Sequence, residues 1–283
     1  MKDIFKKQLI EVLKDQKEVF GDELFQDKLL KRRTVVVENT KENIYKESSS
    51  NLKVKEPVDS KNSQLEALSF ISETKKTKLE EHSFFEQKEN WENSKNLDEL
   101  NKQICNCQKC PLGATRNKFV FGSGNPNADV MTIGEGPGAD EDAQGLPFVG
   151  RAGKLLTDIL KAINFEREEV YIANIVKCRP PGNRTPLPQE MDSCMPYLKK
   201  QIELIKPKLI LCLGLTAAHG LLKKKDSLTN LRGKLFEFEN AKVMVTFHPA
   251  ALLRNPNWKR DCWEDVKKFR KLFDEMKLNN GEN

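Results

Sequence analysis

Four of the chain's seven cysteines are spaced for metal ligation. Cys107-Gln-Lys-Cys110 is a C-x2-C pair followed by Pro111, and Cys178 and Cys194 flank a loop containing PPGNRTPLP. Two pairs supply four thiolates, the number taken by a tetrahedral zinc or a four-iron cluster. The second pair lacks the C-x2-C spacing usual in a zinc ribbon, and an open Pro/Gly-rich loop suits a bulkier cluster. The competing reading is four unrelated buried cysteines. Cys105 adds a third local thiol in CNC and is ambiguous, Cys212 inside LILCLG reads as core, and Cys262 receives no role.

A second group of polar residues follows apolar runs. Residues 134–148 read GEGPGADEDAQGLPF. Glycines after a strand first suggest a phosphate cradle, but carboxylates repel phosphate. The spacing is not the G-x-G-x-x-G of a dinucleotide site. Asp140, Glu141 and Asp142 read as a solvated acidic loop or helix start. Asn174 ends VYIAN, Gly214 follows LILCL, and His248 precedes Pro249. The chain has three histidines. His82 lies in a polar stretch and His219 reads as a packing residue, which leaves His248 as the candidate for chemistry. Alone, Phe148 would be a core residue, and Asn174 reads equally well as a buried structural amide.

The elements that must carry these residues begin near residue 97. LDELNKQIC, GKLLTDILKAI, MDSCMPYLKKQIELI, TAAHGLLKK and WEDVKKFRKLFDEM have helical spacing, and ADVMTIG, VYIANIVKC, KLILCLG and KVMVTFHP are short apolar runs. Strand and helix alternate, and near-continuous apolar strands argue for burial on both faces. The expected fold is a three-layer α/β/α sandwich around a central four-stranded, mainly parallel sheet. In such folds ligands sit beyond the carboxyl ends of the strands. The GEGPG loop, Asn174–Cys178, Gly214 and His248-Pro249 all fall at that rim.

Residues 1–97 differ in texture. Ile4, Phe5, Leu9, Val12, Leu13 and Phe20 suggest an amphipathic helix ended by Gly21, and 26–62 is too polar to offset chain entropy, which predicts disorder. A short helix is expected around Leu65–Ile71. LEEHSFFEQ has the paired aromatics of a docking motif, and the preferred reading is exposed residues in a flexible arm. The expected division is therefore an N-terminal extension at 1–97 and one domain at 98–283. With 38% hydrophobic and 32% charged residues and a net charge of +6, nucleic acid is a permitted partner and not a required one. No stretch approaches the roughly 20 apolar residues of a membrane span, and the N-terminus lacks a signal-peptide run. The chain reads as cytoplasmic, where cysteines seldom form disulfides.

Cys107-x2-Cys110-Pro-Leu, GEGPG, GLPFVGRAG, NIVKCRPPGNR and a late His-Pro pair occur together in this order. In that combination residues 98–275 resemble the family-4 uracil-DNA glycosylases, the iron–sulfur branch of their superfamily. The resemblance implies a structural [4Fe-4S] cluster on Cys107, Cys110, Cys178 and Cys194. It implies a DNA repair enzyme that flips uracil from single- or double-stranded DNA and hydrolyses its glycosidic bond. Phe148 is then the stacking platform, Asn174 reads the uracil edge, and Gly134 and Gly136 open the backbone to the base. His248 donates to uracil O2, and Glu135 positions water or stabilises the cationic sugar. Leu252 or Leu253 wedges into the base stack and Arg254 grips phosphate, with Lys259, Arg260, Arg151, Arg179 and Arg184 as further candidates. Ala250 departs from the family, which commonly has serine after His-Pro. RTPLPQ replaces the longer basic loop of a branch that becomes covalently trapped, which argues for turnover. A monomer is expected, with a protein partner for the extension left open. Two rival readings are a non-catalytic iron–sulfur DNA-binding module and a nucleotide- or flavin-binding redox protein.

Overall fold

The computed structural model describes residues 90–279, so the expected helices and disordered linker of the extension lie outside the described residues. Helix α1 (Leu97–Ile104) opens the domain, capped by the Asn96 side chain, which accepts from the Glu99 amide. The strands are β1 (Ser123–Gly124), β2 (Val130–Gly134), β3 (Tyr171–Asn174), β4 (Leu209–Leu213), β5 (Leu235–Phe238) and β6 (Ala241–Thr246). Helices α2 (Ala139–Gln144) and α3 (Arg151–Ala162) join β2 to β3; α4 (Pro188–Ile205) joins β3 to β4. After β4 come α5 (Leu215–Leu222) and then the β5–β6 hairpin, followed by α6 (Pro249–Arg254) and α7 (Lys259–Asn279).

Among the described residues six strands form one sheet in the order β1-β3-β2-β4-β6-β5. The four expected strands, β2, β3, β4 and β6, form its parallel centre. Two unexpected strands, β1 and β5, pair antiparallel at the edges. β1 is only two residues long, and β5 alternates exposed with half-buried positions. Neither has the apolar run that marks a central strand.

Strand side chains alternate between two cores. Ile210 and Cys212 of β4 enter one cluster with Leu198 and Ile202 of α4. Leu209, Leu211 and Leu213 enter the other with Leu156 of α3 and Phe269 of α7. Every residue of β2, β3 and β4 is buried, as expected where helices cover both faces. This is the three-layer sandwich expected from the alternation. The chain leaves β2 toward β3 and leaves β4 toward β6, in opposite directions across the sheet. A crevice beyond the carboxyl ends of β2 and β4 follows from that reversal.

A candidate active-site pocket and a cysteine centre at the strand ends

A cavity of about 380 Å³ lies at this rim. Glu135, Gly136, Phe148, Asn174, His248 and Arg254 line it, so residues far apart in sequence meet there as expected. Its floor is the end of the parallel ladder, where Gly134 of β2 pairs with Asn174 of β3. A Cβ on Gly134 would lie 2.5 Å from Asn174 Oδ1 and 2.5 Å from Phe148 Cζ. Gly134 is therefore the gap that lets the other two approach. Asn174 is 2% exposed, and its Oδ1 is buried without a hydrogen-bond partner. An unfilled buried acceptor costs roughly 1–3 kcal/mol, which is tolerable where a ligand brings the donor.

Phe148 is buried and adopts φ 52°, the left-handed region that bulky side chains seldom occupy. Its surroundings hold it there. Glu141 Oε1 accepts from the amides of Val149 (2.9 Å) and Gly150 (3.0 Å), and Glu141 Oε2 accepts from the Gly138 amide at 3.1 Å. Arg167 donates to the Pro147 carbonyl at 2.8 Å. Helix α3 passes directly beneath, so close that a Cβ on Gly153 would overlap the Phe148 carbonyl. The expected solvated acidic loop is thus corrected at two of its three acids. Asp140 is exposed, but Glu141 joins the two pocket loops and Asp142 is 1% exposed. Asp142 accepts from the Asn117 amide (2.9 Å) and the Asn117 side chain (2.6 Å).

His248 is the N-cap of α6, and its Nδ1 accepts from the Ala250 amide at 3.1 Å. The ring proton of a neutral imidazole is then on Nε2. Burial, with the Arg254 cation as a smaller contribution, lowers the His248 pKa from 6.5 to about 4. At neutral pH the ring is an uncharged donor. Its centroid lies 5.6 Å from that of Phe148, with the planes 31° apart. Gly214 (φ 89°) allows the close approach, because a Cβ there would meet His248 Cβ at 2.9 Å.

At the rim, Leu252 and Leu253 separate. Leu252 is 0% exposed and packs in the core with Trp263 and Phe269, so it is not available as a wedge; Leu253 is 38% exposed. Arg184 lines the same cavity and is also ion-paired. Its guanidinium is bidentate to Glu190 at 2.6 and 2.8 Å, and Glu190 also accepts from the Leu187 amide at 2.7 Å. These contacts brace the loop that precedes α4.

The cysteines cluster behind this pocket. Cys178 lies within electrostatic reach of Cys107 and Cys110, and Cys194 within reach of Cys107 and Cys178. Arg116 donates to Cys178 Sγ at 3.3 Å and to the Cys107 carbonyl at 2.6 Å. The Tyr197 hydroxyl donates to Cys107 Sγ at 3.3 Å, the Lys109 amide to Cys107 Sγ at 3.4 Å, and the Lys177 amide to Cys194 Sγ at 3.3 Å. Burial raises the thiol pKa of Cys178, and that of Cys194 to about 12; Arg116 and Lys177 oppose the shifts. Four donors aimed at sulfur, one of them the Arg116 cation, suit thiolates held by a metal centre. Among the described residues, no group of three or more His, Cys, Asp or Glu side chains is set to hold a single metal ion. Cys105 stands apart, with its thiol donating to the Lys102 carbonyl at 3.6 Å. Cys212 and Cys262 are fully buried.

Sequence reasoning missed Lys177. It is fully buried, and burial lowers its pKa to about 8 while Cys194 and Cys178 oppose the shift. Nothing in NIVKC marks its lysine as interior.

Residues 121–267 match the family described as the uracil DNA glycosylase superfamily. The chain is 43% identical over 184 residues to a type-4 uracil-DNA glycosylase of Archaeoglobus fulgidus, covering 62% of this chain and 92% of that protein. It is 44% identical over 181 residues to one from Thermotoga maritima, covering 62% and 94%. A type-5 uracil-DNA glycosylase of Pyrobaculum aerophilum is 27% identical over 188 residues, covering 55% and 83%. With a superfamily match across most of the domain and close relatives covered almost end to end, the chain belongs to the type-4 uracil-DNA glycosylases.

Proposed function

We infer that this protein is a DNA repair enzyme that excises uracil from DNA and leaves an abasic site. The observation that supports this most is the unfilled Asn174 carbonyl beside the Phe148 ring and a neutral His248, all lining one cavity. The target nucleotide must leave the stack to enter it. Phe148 stacks on the base, an interaction worth roughly 1–3 kcal/mol. Asn174 Oδ1 accepts from uracil N3–H and its amide donates to O4. Cytosine carries an acceptor and a donor at those places, so it is rejected.

The N1–C1′ bond breaks with its electron pair moving onto the base. His248 Nε2–H donates to uracil O2 as the negative charge grows, which stabilises the leaving anion. The sugar becomes oxocarbenium-like, and water adds at C1′ and loses a proton. Glu135 faces the cavity and serves the cationic sugar or the water. Leu253 fills the vacated stack, and Arg254 meets backbone phosphate. Cys107, Cys110, Cys178 and Cys194 hold a [4Fe-4S] cluster, which when bound supplies structural cross-linking of the 107–110 loop, the end of β3 and α4.

Ala250 does not favour a non-catalytic module, because the contact it makes to His248 is through its main-chain amide. The redox reading loses its ground where the GEGPG glycines meet Asn174, Phe148 and Val176. We read the protein as a monomer in the cytoplasm, acting on single- or double-stranded DNA, with residues 1–90 dispensable for chemistry. No helix among the described residues is long and apolar enough to cross a membrane. The test is incubation with a uracil-containing oligonucleotide followed by alkali. Strand scission that requires uracil, and persists after removal of residues 1–90, supports the reading. Binding without scission would sink it, and a dead truncation would overturn the domain division.

A further inference from the structure

A lysine with no exposed surface stands between the pocket and the cysteines. Lys177 lies three residues after Asn174 and one before Cys178. Its Nζ donates to the Asn174 main-chain carbonyl at 3.0 Å and to Gln201 Oε1 at 2.6 Å. Gln201, also fully buried, donates from Nε2 to the Phe121 carbonyl at 3.0 Å and the Tyr171 hydroxyl at 3.3 Å. Tyr171 begins β3, the strand that Asn174 ends. The network therefore grips β3 at both ends. The Lys177 amide meanwhile donates to Cys194 Sγ at 3.3 Å.

A buried ammonium is unfavourable unless its hydrogen bonds are filled, and an apolar side chain would fill the same space without that penalty. The arrangement selects one conformation of the strand end. That end carries the amide whose orientation separates uracil from cytosine. The peptide that closes the strand is held from two sides: its Ile175 amide donates to the Gly134 carbonyl at 2.9 Å, and its Asn174 carbonyl accepts from Lys177.

We propose that Lys177 is a positioning residue: gripped by Gln201, its ammonium fixes the Asn174 main chain and ties the base-reading amide to the cysteine centre. This rests on the uracil-pocket reading. Lys177→Met keeps the apolar stem and removes the ammonium. The experiment is a double-mutant cycle of Lys177→Met with Asn174→Ala, read by equilibrium dialysis of free uracil, single-turnover excision and iron per chain. Expected are unchanged iron content and uracil binding weakened roughly tenfold to a hundredfold in Lys177→Met, the range of a lost hydrogen bond to a charged group. No further loss is expected when Lys177→Met is added to Asn174→Ala, because the first acts through the second. Additive losses, or wild-type uracil affinity in Lys177→Met, would overturn the proposal. If Lys177→Met fails to fold or to hold iron, Gln201→Met replaces it in the cycle under the same criteria. Wild-type behaviour of Asn174→Ala would instead overturn the pocket reading.

Discussion

Gly134→Ala tests the pocket with one methyl group. The glycine backbone is ordinary strand, so alanine meets no conformational penalty of its own. The difficulty is space: the new Cβ would lie 2.5 Å from both Asn174 Oδ1 and Phe148 Cζ, against an ordinary contact of 3.4 Å or more. Both side chains must retreat by about 0.9 Å, measured from that limit. They border an open cavity, so they can yield into it, and the stability loss should fall at the low end of the ~1–3 kcal/mol typical of overpacking. Catalysis has no such relief. A displacement near 1 Å of groups that orient the reacting base costs about a hundredfold, or ~2.7 kcal/mol of barrier. Single-turnover excision on a uracil oligonucleotide measures the rate, and thermal unfolding measures the fold. The expected result is a large rate loss with a small shift in melting temperature. A wild-type rate would refute the claim that Gly134 sets the approach of Asn174 and Phe148, and a rate loss matched by gross unfolding would refute the claim that the cavity absorbs the strain.

Three further outcomes follow from the same geometry. His248 titrates near 4 when folded against an ordinary 6.5, so the unfolded chain binds the extra proton between those values. Its contribution to stability is intact above pH 6.5 and is lost as pH falls toward 4, by roughly 3 kcal/mol. Urea titrations should show His248→Gln flattening that dependence, and parallel curves would contradict a buried neutral ring. Glu141→Gln places an NH2 group among three main-chain N–H donors; it should destabilise by about 1–3 kcal/mol and slow excision, and an unchanged protein would show that the two loops need no bridge. Leu252→Ala should cost about 2–5 kcal/mol of stability with DNA affinity per folded molecule preserved, while Leu253→Ala should weaken binding to uracil-containing duplex at constant melting temperature. The reverse pattern would exchange their roles.

What was legible in the sequence was whatever repeats along the chain or sits beside a glycine. The four central strands announce themselves as apolar runs, and their order places Asn174, His248 and the GEGPG loop at one rim. The edge strands do not. β1 is too short for a pattern, and β5 is recognisable only through its pairing with β6. Leu252 and Leu253 look interchangeable until the phase of α6 is known, because a helix turns adjacent residues to different sides. Glu141 and Asp142 resemble a solvated helix start because the amides that need them lie in other segments, at 138, 149–150 and 117–118. Lys177 is the extreme case. A lysine is normally evidence of surface, and only the carbonyl and the amide side chain it meets in three dimensions make it interior.

The bond from the Ala250 amide to His248 Nδ1 has a bearing on how this site can evolve. In many enzymes the orientation of a reacting histidine depends on a carboxylate or hydroxyl that a single nucleotide change can remove. Here the partner is the peptide backbone, and nineteen of the twenty residue types would supply the same N–H at position 250. In the mechanism proposed above the electrophile is therefore shielded from drift at its neighbour, and a sequence that lacks the usual hydroxyl there keeps the same proton on the same nitrogen. Proline is the exception, since it has no amide hydrogen. It would fit the first turn of α6 sterically and still release the ring, separating the helix's needs from the histidine's at a single atom.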